Sequence, residues 1–261
     1  MLLGTKTAVI YGGSGAVGGA VAKAFAREGA RVFLAARTLE GLQAVADEIR
    51  ALGGEVAVAS VDATDRAAVE QHLAAIVRAT GRVHVMFNAI DWGDTQGAVL
   101  TDMALETMLR PVYTALTTWF HTGTVYASHM AENGGGVIVG ITANAAREAY
   151  SHVGGFGIAC AAVEHFLRQL AVENGPFGVR ACWVRSPGSP DAPGVRAAWQ
   201  LRADEQGVTF EDISREFGKH TPLRKVTALA QVADAAVLLA SDLAAGMTAT
   251  VANATGGAQV D

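Results

Sequence analysis

Lysine is scarce in this 261-residue chain: Lys6, Lys23, Lys219 and Lys225 are the only four, and none lies between 24 and 218. Cysteine is scarcer still, with Cys160 and Cys182 alone. Two cysteines without metal-ligand spacing exclude a disulfide framework and leave no metal site to expect; they fit a reducing, cytoplasmic setting. Long apolar runs are missing too. Each is broken by Gly, Arg or Asp, so no segment reads as a membrane span. The start MLLGTKTAVIYGG lacks the basic opening and small-residue cleavage site of a signal peptide. Charge of one sign is nowhere concentrated: the net charge is −5, without a long charged run. That leaves no electrostatic footprint for DNA or RNA. What is present is a chain 51% hydrophobic, too apolar for disorder and long enough to bury a sizeable α/β core.

Its apolar residues alternate between two periods. KTAVIY (6–11), RVFLAA (31–36), EVAVASVD (55–62) and RVHVMFNA (82–89) read as short buried strands. Between them, AVGGAVAKAFAREG (16–29), TLEGLQAVADEIRALGG (38–54) and TDRAAVEQHLAAIVRATG (64–81) carry helical spacing. Thr38 is an N-cap candidate, and Gly53 with Gly54 a stop. Strands alternating with helices imply right-handed crossovers and a parallel sheet covered on both faces. The second half keeps the rhythm: helix near 99–132, interrupted at Pro111; strand 135–141; helix near 155–174; strand 179–184; helix 228–241; strand 249–255. Residues 188–222 break it, with Pro190, Pro193 and Pro222 around a mixed helical stretch. The expectation is one domain over 1–261, a Rossmann-type doubly wound parallel sheet of about seven strands. The 188–222 insert follows strand six at a carboxyl end, where a substrate lid is favoured over a plain loop.

The first strand runs into VIYGGSGAVGGA, which opens a helix. Gly13, Gly15 and Gly18 fit G-x-G-x-x-G, and Gly12, Gly15 and Gly18 fit G-x-x-G-x-x-G. Such a loop makes a tight turn, brings backbone N–H groups to a pyrophosphate and lets the helix pack closely on the strand. Gly12, Gly13, Ser14, Gly15, Ala16, Val17 and Gly18 are therefore candidate nucleotide contacts. The second strand ends in Ala36 and Arg37 rather than an acid. A carboxylate there would hold a ribose 2′-hydroxyl and repel a 2′-phosphate, whereas Arg37 can pair with a phosphate. NADP is favoured, with NAD the alternative.

At these residues the chain resembles the short-chain dehydrogenase/reductase family, almost end to end. YGGSGAVG stands where the family has T-G-x-x-x-G-x-G; Gly12 and Gly18 match, Ala16 and Tyr11 do not. VDATD resembles the D-V-T-D region and gives Asp62, with Ala63 beside it, the adenine position. FNAI stands in for N-N-A-G, matching at Asn88 and Ala89. GGGVIVGITA resembles the fifth strand, placing Ile141 near the cofactor. SPGSP matches the P-G turn at Pro187 and Gly188, with Ser189 beyond. TPLRKVTALAQVADAAVLLASD and TATVANATGG resemble the C-terminal signature. The resemblance implies an NAD(P)-dependent oxidoreductase acting on a small molecule, and a homotetramer or homodimer built through the two long helices.

The same resemblance assigns four catalytic positions, and none carries the family's residue. Asparagine falls at Ala115, serine at Ala143, tyrosine at Phe156 and lysine at Cys160. The lysine gap between 24 and 218 means that no shift of register restores it. Neither Gly154 nor Gly157 supplies a lysine partner to Tyr150. Thr142, Asn144, Tyr150, His152 and Cys160 are the local groups that could still act, and Phe156 could form an apolar floor. Trp92, after strand four, is placed to line the pocket. A phenylalanine has no proton to give, and a general acid is worth roughly 10²–10⁴-fold. Hydride transfer is the cofactor's chemistry, however. Two readings follow. One is an NADP-dependent oxidoreductase acting on an apolar acceptor such as an activated C=C, C=N or carbonyl. The other is a non-redox protein: a cofactor-binding pseudoenzyme, or a cyclase, isomerase or dehydratase that uses nucleotide structurally.

Overall fold

Seven short apolar stretches pair into one parallel sheet in the computed structural model, which describes residues 1–260 apart from the side chains of Ala198, Leu201 and Glu205. They are β1 (Thr7–Tyr11), β2 (Arg31–Ala36), β3 (Val56–Ser60), β4 (Val85–Asn88), β5 (Gly136–Ala143), β6 (Val179–Ser186) and β7 (Thr250–Asn253). The helices are α1 (Ala16–Arg27), α2 (Leu39–Ala51), α3 (Arg66–Thr80), α4 (Leu105–Glu132), α5 (Phe156–Asn174), α6 (Pro193–Gln206), α7 (Phe210–Lys219) and α8 (Leu229–Ala240). The strands lie in the order β3-β2-β1-β4-β5-β6-β7. β1 pairs with both β2 and β4, so the winding reverses there. Beyond the carboxyl ends of those strands such a sheet opens a crevice for ligands.

Both faces of the sheet are covered, which is why the strands read as continuous apolar runs rather than alternating ones. On one side Val21, Phe25, Leu42, Ile49 and Leu239 of α1, α2 and α8 close over Ile10, Leu34, Phe87 and Val139. On the other, Val69, Trp119, Tyr126 and Leu167 of α3, α4 and α5 close over Val9, Met86, Ile138 and Trp183. Asp65 caps α3 by accepting from the Ala67 N–H at 2.9 Å. Thr38 sits at the N-cap of α2 but makes no side-chain cap bond.

Two expectations are corrected. The long helix is not interrupted at Pro111: α4 runs unbroken through it for 28 residues. The proline removes one ladder bond, near the start of the helix. Packing holds the helix there, because Gly155 abuts the Met108 carbonyl and the Pro111 ring. The 188–222 insert is also more regular than expected: its mixed helical stretch is α6, and a second helix, α7, follows. Thr209 and Asp212 form a capping box that starts α7. Trp199 stacks on Phe217 at 4.4 Å, with Arg196 over Phe210 and Arg202 over Phe217. These aromatic and guanidinium contacts join the two helices into a hairpin.

Three histidines tie elements together in their neutral form. His84 Nδ1 accepts from the Thr7 N–H at 3.0 Å, and His129 Nε2 from the Val83 N–H at 3.1 Å. His72 Nδ1 meets the Tyr11 hydroxyl at 3.1 Å, and that hydroxyl also meets Tyr126. Burial lowers all three histidines from the usual 6.5, His72 to about 4. A histidine held neutral by the fold contributes stability above its unfolded value, and that stability is lost as pH falls. Stability should therefore drop from pH 6.5 downward, before most carboxylates titrate. At one unit per 1.36 kcal/mol, His72 alone accounts for about 2–3 kcal/mol by about pH 4.5. Urea midpoints measured across that range check it, and His72→Phe should flatten the curve.

Candidate functional site

The turn after β1 is built by glycine packing. Gly12 has φ +73°, and a Cβ there would lie 2.3 Å from the Ala89 carbonyl oxygen. A Cβ at Gly18 would lie 2.2 Å from the Gly12 carbonyl oxygen. The turn thus presses against both α1 and the end of β4. Gly15 is the N-cap of α1, which has no side-chain cap and no acid in its first turn. Its leading N–H groups, at Ala16 and Val17, are left for an anion, and the helix dipole favours one there. A groove of about 1390 Å³ touches Ser14, Gly15, Ala16, Asp191 and Leu229 at one end but runs along α1 to the amino ends of β1 and β2, past Lys6, Gly29 and Arg31, so it is not the crevice itself. The Asp191 carboxylate accepts from the Leu229 N–H at 3.0 and 3.1 Å, tying the base of the α6–α7 insert to the start of α8.

The outer end of the crevice carries charge. Arg37 is exposed beyond β2, and its carbonyl accepts from Ser60 Oγ at 2.8 Å. Asp62 accepts from the Thr64 N–H at 2.9 Å and from its hydroxyl at 2.7 Å. Those bonds, with Arg37 nearby, hold the Asp62 carboxyl below its usual range. Ala63 is buried, and its carbonyl meets His121 Nδ1 at 3.1 Å. Asn88 is committed: its amide donates to Thr122 Oγ1 at 3.0 Å, and its Oδ1 accepts from the Ile90 N–H at 3.0 Å. It braces β4 against α4, while Ala89 supplies the backbone against which Gly12 packs. Ile141 packs toward the α1–α8 side. At the end of β6, Gly188 has φ +86°. Its N–H approaches Ser186 Oγ at 3.3 Å, and Pro187 precedes it. Ser189 is 3% exposed, and its hydroxyl has no partner.

The residues meant to handle protons are placed differently from one another. Ala115 is wholly buried in α4, and Ala143 ends β5. Phe156 opens α5 with its ring 6.1 Å from that of Trp92. Cys160, one turn on, is wholly buried. Burial pushes its thiol up to about 12, and the nearby carboxylates of Glu164 and Asp94 add to the shift. That environment suits a packed core residue rather than a nucleophile. Tyr150 is 45% exposed and donates to Glu148. Partial burial first, then that carboxylate, pushes its hydroxyl up to about 12. His152 is exposed and sits at φ 66°, its carbonyl accepting from the Gly97 N–H at 2.8 Å. Thr142 is turned inward, donating to Glu164 Oε1 at 2.9 Å.

That last bond belongs to a cluster that sequence reasoning missed. Arg185 of β6 is wholly buried, and Glu164 of α5 is 2% exposed. The guanidinium donates from Nε at 3.1 Å and from one terminal nitrogen at 2.9 Å to each carboxylate oxygen. Arg168 approaches the same carboxylate at 3.4 Å. Thr142 and Arg185 are direct partners in the β5–β6 register. The signal was a charged residue inside each of two apolar runs, CAAVEHFL and ACWVRS. Their pairing appears only when α5 lies over β6.

Similarity to known proteins spans the same length. A family model described as Enoyl-(Acyl carrier protein) reductase matches residues 13–259. The 7alpha-hydroxysteroid dehydrogenase of Escherichia coli (strain K12) is 28% identical over 256 residues, 97% of this chain and 93% of that protein. A solved 7 alpha-hydroxysteroid dehydrogenase complexed with NADH and 7-oxo glycochenodeoxycholic acid superposes with a TM-score of 0.84. It is 26% identical and covers 98% of this chain and 94% of its own. An actinorhodin polyketide ketoreductase solved with NADPH gives a TM-score of 0.86 at 26% identity, over 99% of both chains.

Proposed function

The chain belongs to the short-chain dehydrogenase/reductase family, whose fold and matched span it shares, and from that premise we propose an NADP-dependent oxidoreductase with a non-standard active site. Its substrate is an apolar small molecule carrying an activated C=C, C=N or carbonyl. One observation carries the reading. The glycine cradle and the uncapped start of α1 are kept, while Ala115, Ala143 and Phe156 carry no transferable proton and the Cys160 thiol is wholly buried. When bound, the reduced nicotinamide would supply a hydride with its electron pair. The chain's part is then to bind, orient and exclude water. Gly12 to Gly18 would hold the pyrophosphate, Asp62 the adenine end, Ser189 and Ile141 the far end, and Phe156 with Trp92 the apolar wall. The α6–α7 hairpin would cover the substrate.

Arg37 supports NADP over NAD, with no acid at the end of β2 to oppose a 2′-phosphate. Charge-assisted bonds of this kind are worth about 1.5–3 kcal/mol, so Arg37→Ala should weaken NADPH by about 10- to 100-fold and NADH by less than about threefold. Fluorescence titration with the two cofactors checks it. The reaction class is tested with stereospecifically deuterated NADPH. Deuterium in the product supports the oxidoreductase. Turnover with the label retained on the cofactor would instead make the nucleotide structural and the chemistry cyclisation, isomerisation or dehydration. Exposed Tyr113, Leu116 and Phe120 on α4 and Ile158 on α5 support assembly into a homotetramer or homodimer through those helices. Among the described residues no helix is long and apolar enough to cross a membrane.

A further inference from the structure

Two Asn-Gly pairs stand in the chain, each preceded by glutamate: Glu132-Asn133-Gly134 and Glu173-Asn174-Gly175. In such a pair the glycine nitrogen can attack the asparagine side-chain carbonyl carbon, since glycine has no Cβ to hinder the approach. Sequence alone does not separate the two pairs, but the fold does. Asn174 ends α5, and the Gly175 N–H is spent on the Ala171 carbonyl. Gly175 is itself helical, at φ −55° and ψ −41°. Asn133 lies just past α4 at φ −121° and ψ 32°, and Gly134 has φ +81°. Both are exposed. The N–H groups of Asn133 and Gly135 go to the Met130 carbonyl, while that of Gly134 makes no hydrogen bond among the described residues.

The side chains around Asn133 suit the same reaction. His129, one turn back, is half-buried, and its Nε2 accepts from the Val83 N–H at 3.1 Å. Burial, and then Arg82, lower its pKa from the usual 6.5, so the ring is neutral and its one proton sits on Nδ1. That atom lies 3.3 Å from Asn133 Nδ2, the nitrogen that must leave. Nδ2 also donates to the His129 carbonyl at 2.7 Å, which holds the amide in place. Arg82 donates to the Gly135 carbonyl at 2.6 Å, and a Cβ at Gly134 would lie 3.2 Å from its Nη1. A guanidinium so close to Gly134 favours loss of the proton from its N–H. Arg82 has no acidic partner among the described residues.

We propose that Asn133 and Gly134 form a self-modifying site, with His129 as its proton donor and Arg82 as the cation that activates the glycine nitrogen. The Gly134 nitrogen pair forms a bond to Asn133 Cγ, and the C=O π pair moves onto Oδ1. That pair then re-forms the carbonyl, the Cγ–Nδ2 bond breaks, and Nδ2 leaves as ammonia with the proton of His129 Nδ1. The proton released by the Gly134 nitrogen returns to His129 through water. The cyclic imide left behind is opened by a water molecule at either carbonyl, giving aspartate or isoaspartate. Nothing is oxidised or reduced, and no cofactor takes part. The product places a carboxylate at position 133, close to the unpaired Arg82. Its isoaspartyl form lengthens the backbone between α4 and β5 by one carbon.

The chain is incubated folded and, in parallel, unfolded in urea at the same pH. Peptide mapping by mass spectrometry follows the imide and its hydrolysis products at both pairs. Unfolded, the two should convert within about threefold of one another, since both read Glu-Asn-Gly. Folded, Asn133 should convert at least about tenfold faster than Asn174, whose glycine N–H is freed only by local opening of the helix end. Folding should not slow Asn133. His129→Gln keeps an acceptor for the Val83 N–H but has no proton to give, and should slow Asn133 by at least about tenfold. Arg82→Gln should slow it by at least about threefold, and it decides alone if the thermal midpoint shows the His129 variant unfolded. Equal rates at the two pairs in the folded chain overturn the proposal. So does an Asn133 that converts more slowly folded than unfolded, or a rate untouched by the substitutions.

Discussion

Replacing Arg185 with alanine is expected to destabilise the fold by about 3–5 kcal/mol, the usual penalty for removing one partner of a buried ion pair. Glu164 is 2% exposed and has three short contacts to that guanidinium. Without it the carboxylate keeps the Thr142 hydroxyl and a distant, half-exposed Arg168. Neither compensates a charge held out of water. The control is the double replacement Arg185→Met with Glu164→Leu. Removing both charges removes the desolvation cost with the attraction, so the double variant should recover to within about 1–2 kcal/mol of the parent. Urea unfolding followed by circular dichroism measures both. A loss below about 1 kcal/mol in the single variant would mean that Glu164 finds water, and the cluster would then not be a sealed one.

This pair also marks where sequence reasoning stops. The sheet, its crossovers and the glycine turn were legible because each rests on local spacing: short continuous apolar runs, helical stripes, glycines at fixed offsets. Arg185 and Glu164 lie 21 residues apart, each inside an apolar run, and only the packing of α5 on β6 joins them. Asn144 was visible as a polar residue after strand five, but that its Oδ1 is buried without a partner appears only in the fold. In the α6–α7 hairpin the helical stretch of α6 was legible and α7 was not, and Pro193 begins α6 rather than breaking it. Pro111 misled in the opposite sense, because tertiary packing at Gly155 outweighs one lost ladder bond. That Ala115, Ala143 and Phe156 carry no transferable proton could be read from the sequence, since such residues lack one wherever they are placed.

The glycine turn yields the other large effect, and it ranks two glycines that both sequence motifs share. Gly18→Val should abolish measurable nucleotide binding and destabilise the chain by about 1–3 kcal/mol, the range for forcing extra volume into a packed site. The added Cβ would sit 2.2 Å from the Gly12 carbonyl oxygen, 2.8 Å from its carbonyl carbon and 3.2 Å from the Gly13 Cα. All three are backbone atoms, so no side-chain rotation relieves the clash. Gly12 cannot withdraw, since its own Cβ position is filled by the Ala89 carbonyl and its φ is +73°. The start of α1 must therefore move off the turn, taking with it the N–H groups proposed to hold the pyrophosphate. Gly15→Ala is the contrast. Its Cβ would meet only the Gly12 carbonyl oxygen, at 3.3 Å, and its φ of −77° suits any residue. It should change stability by less than about 1 kcal/mol, the size of a tolerated glycine replacement. Equal losses of stability from the two variants would show that the Gly12–Gly18 contact is not what holds the cradle.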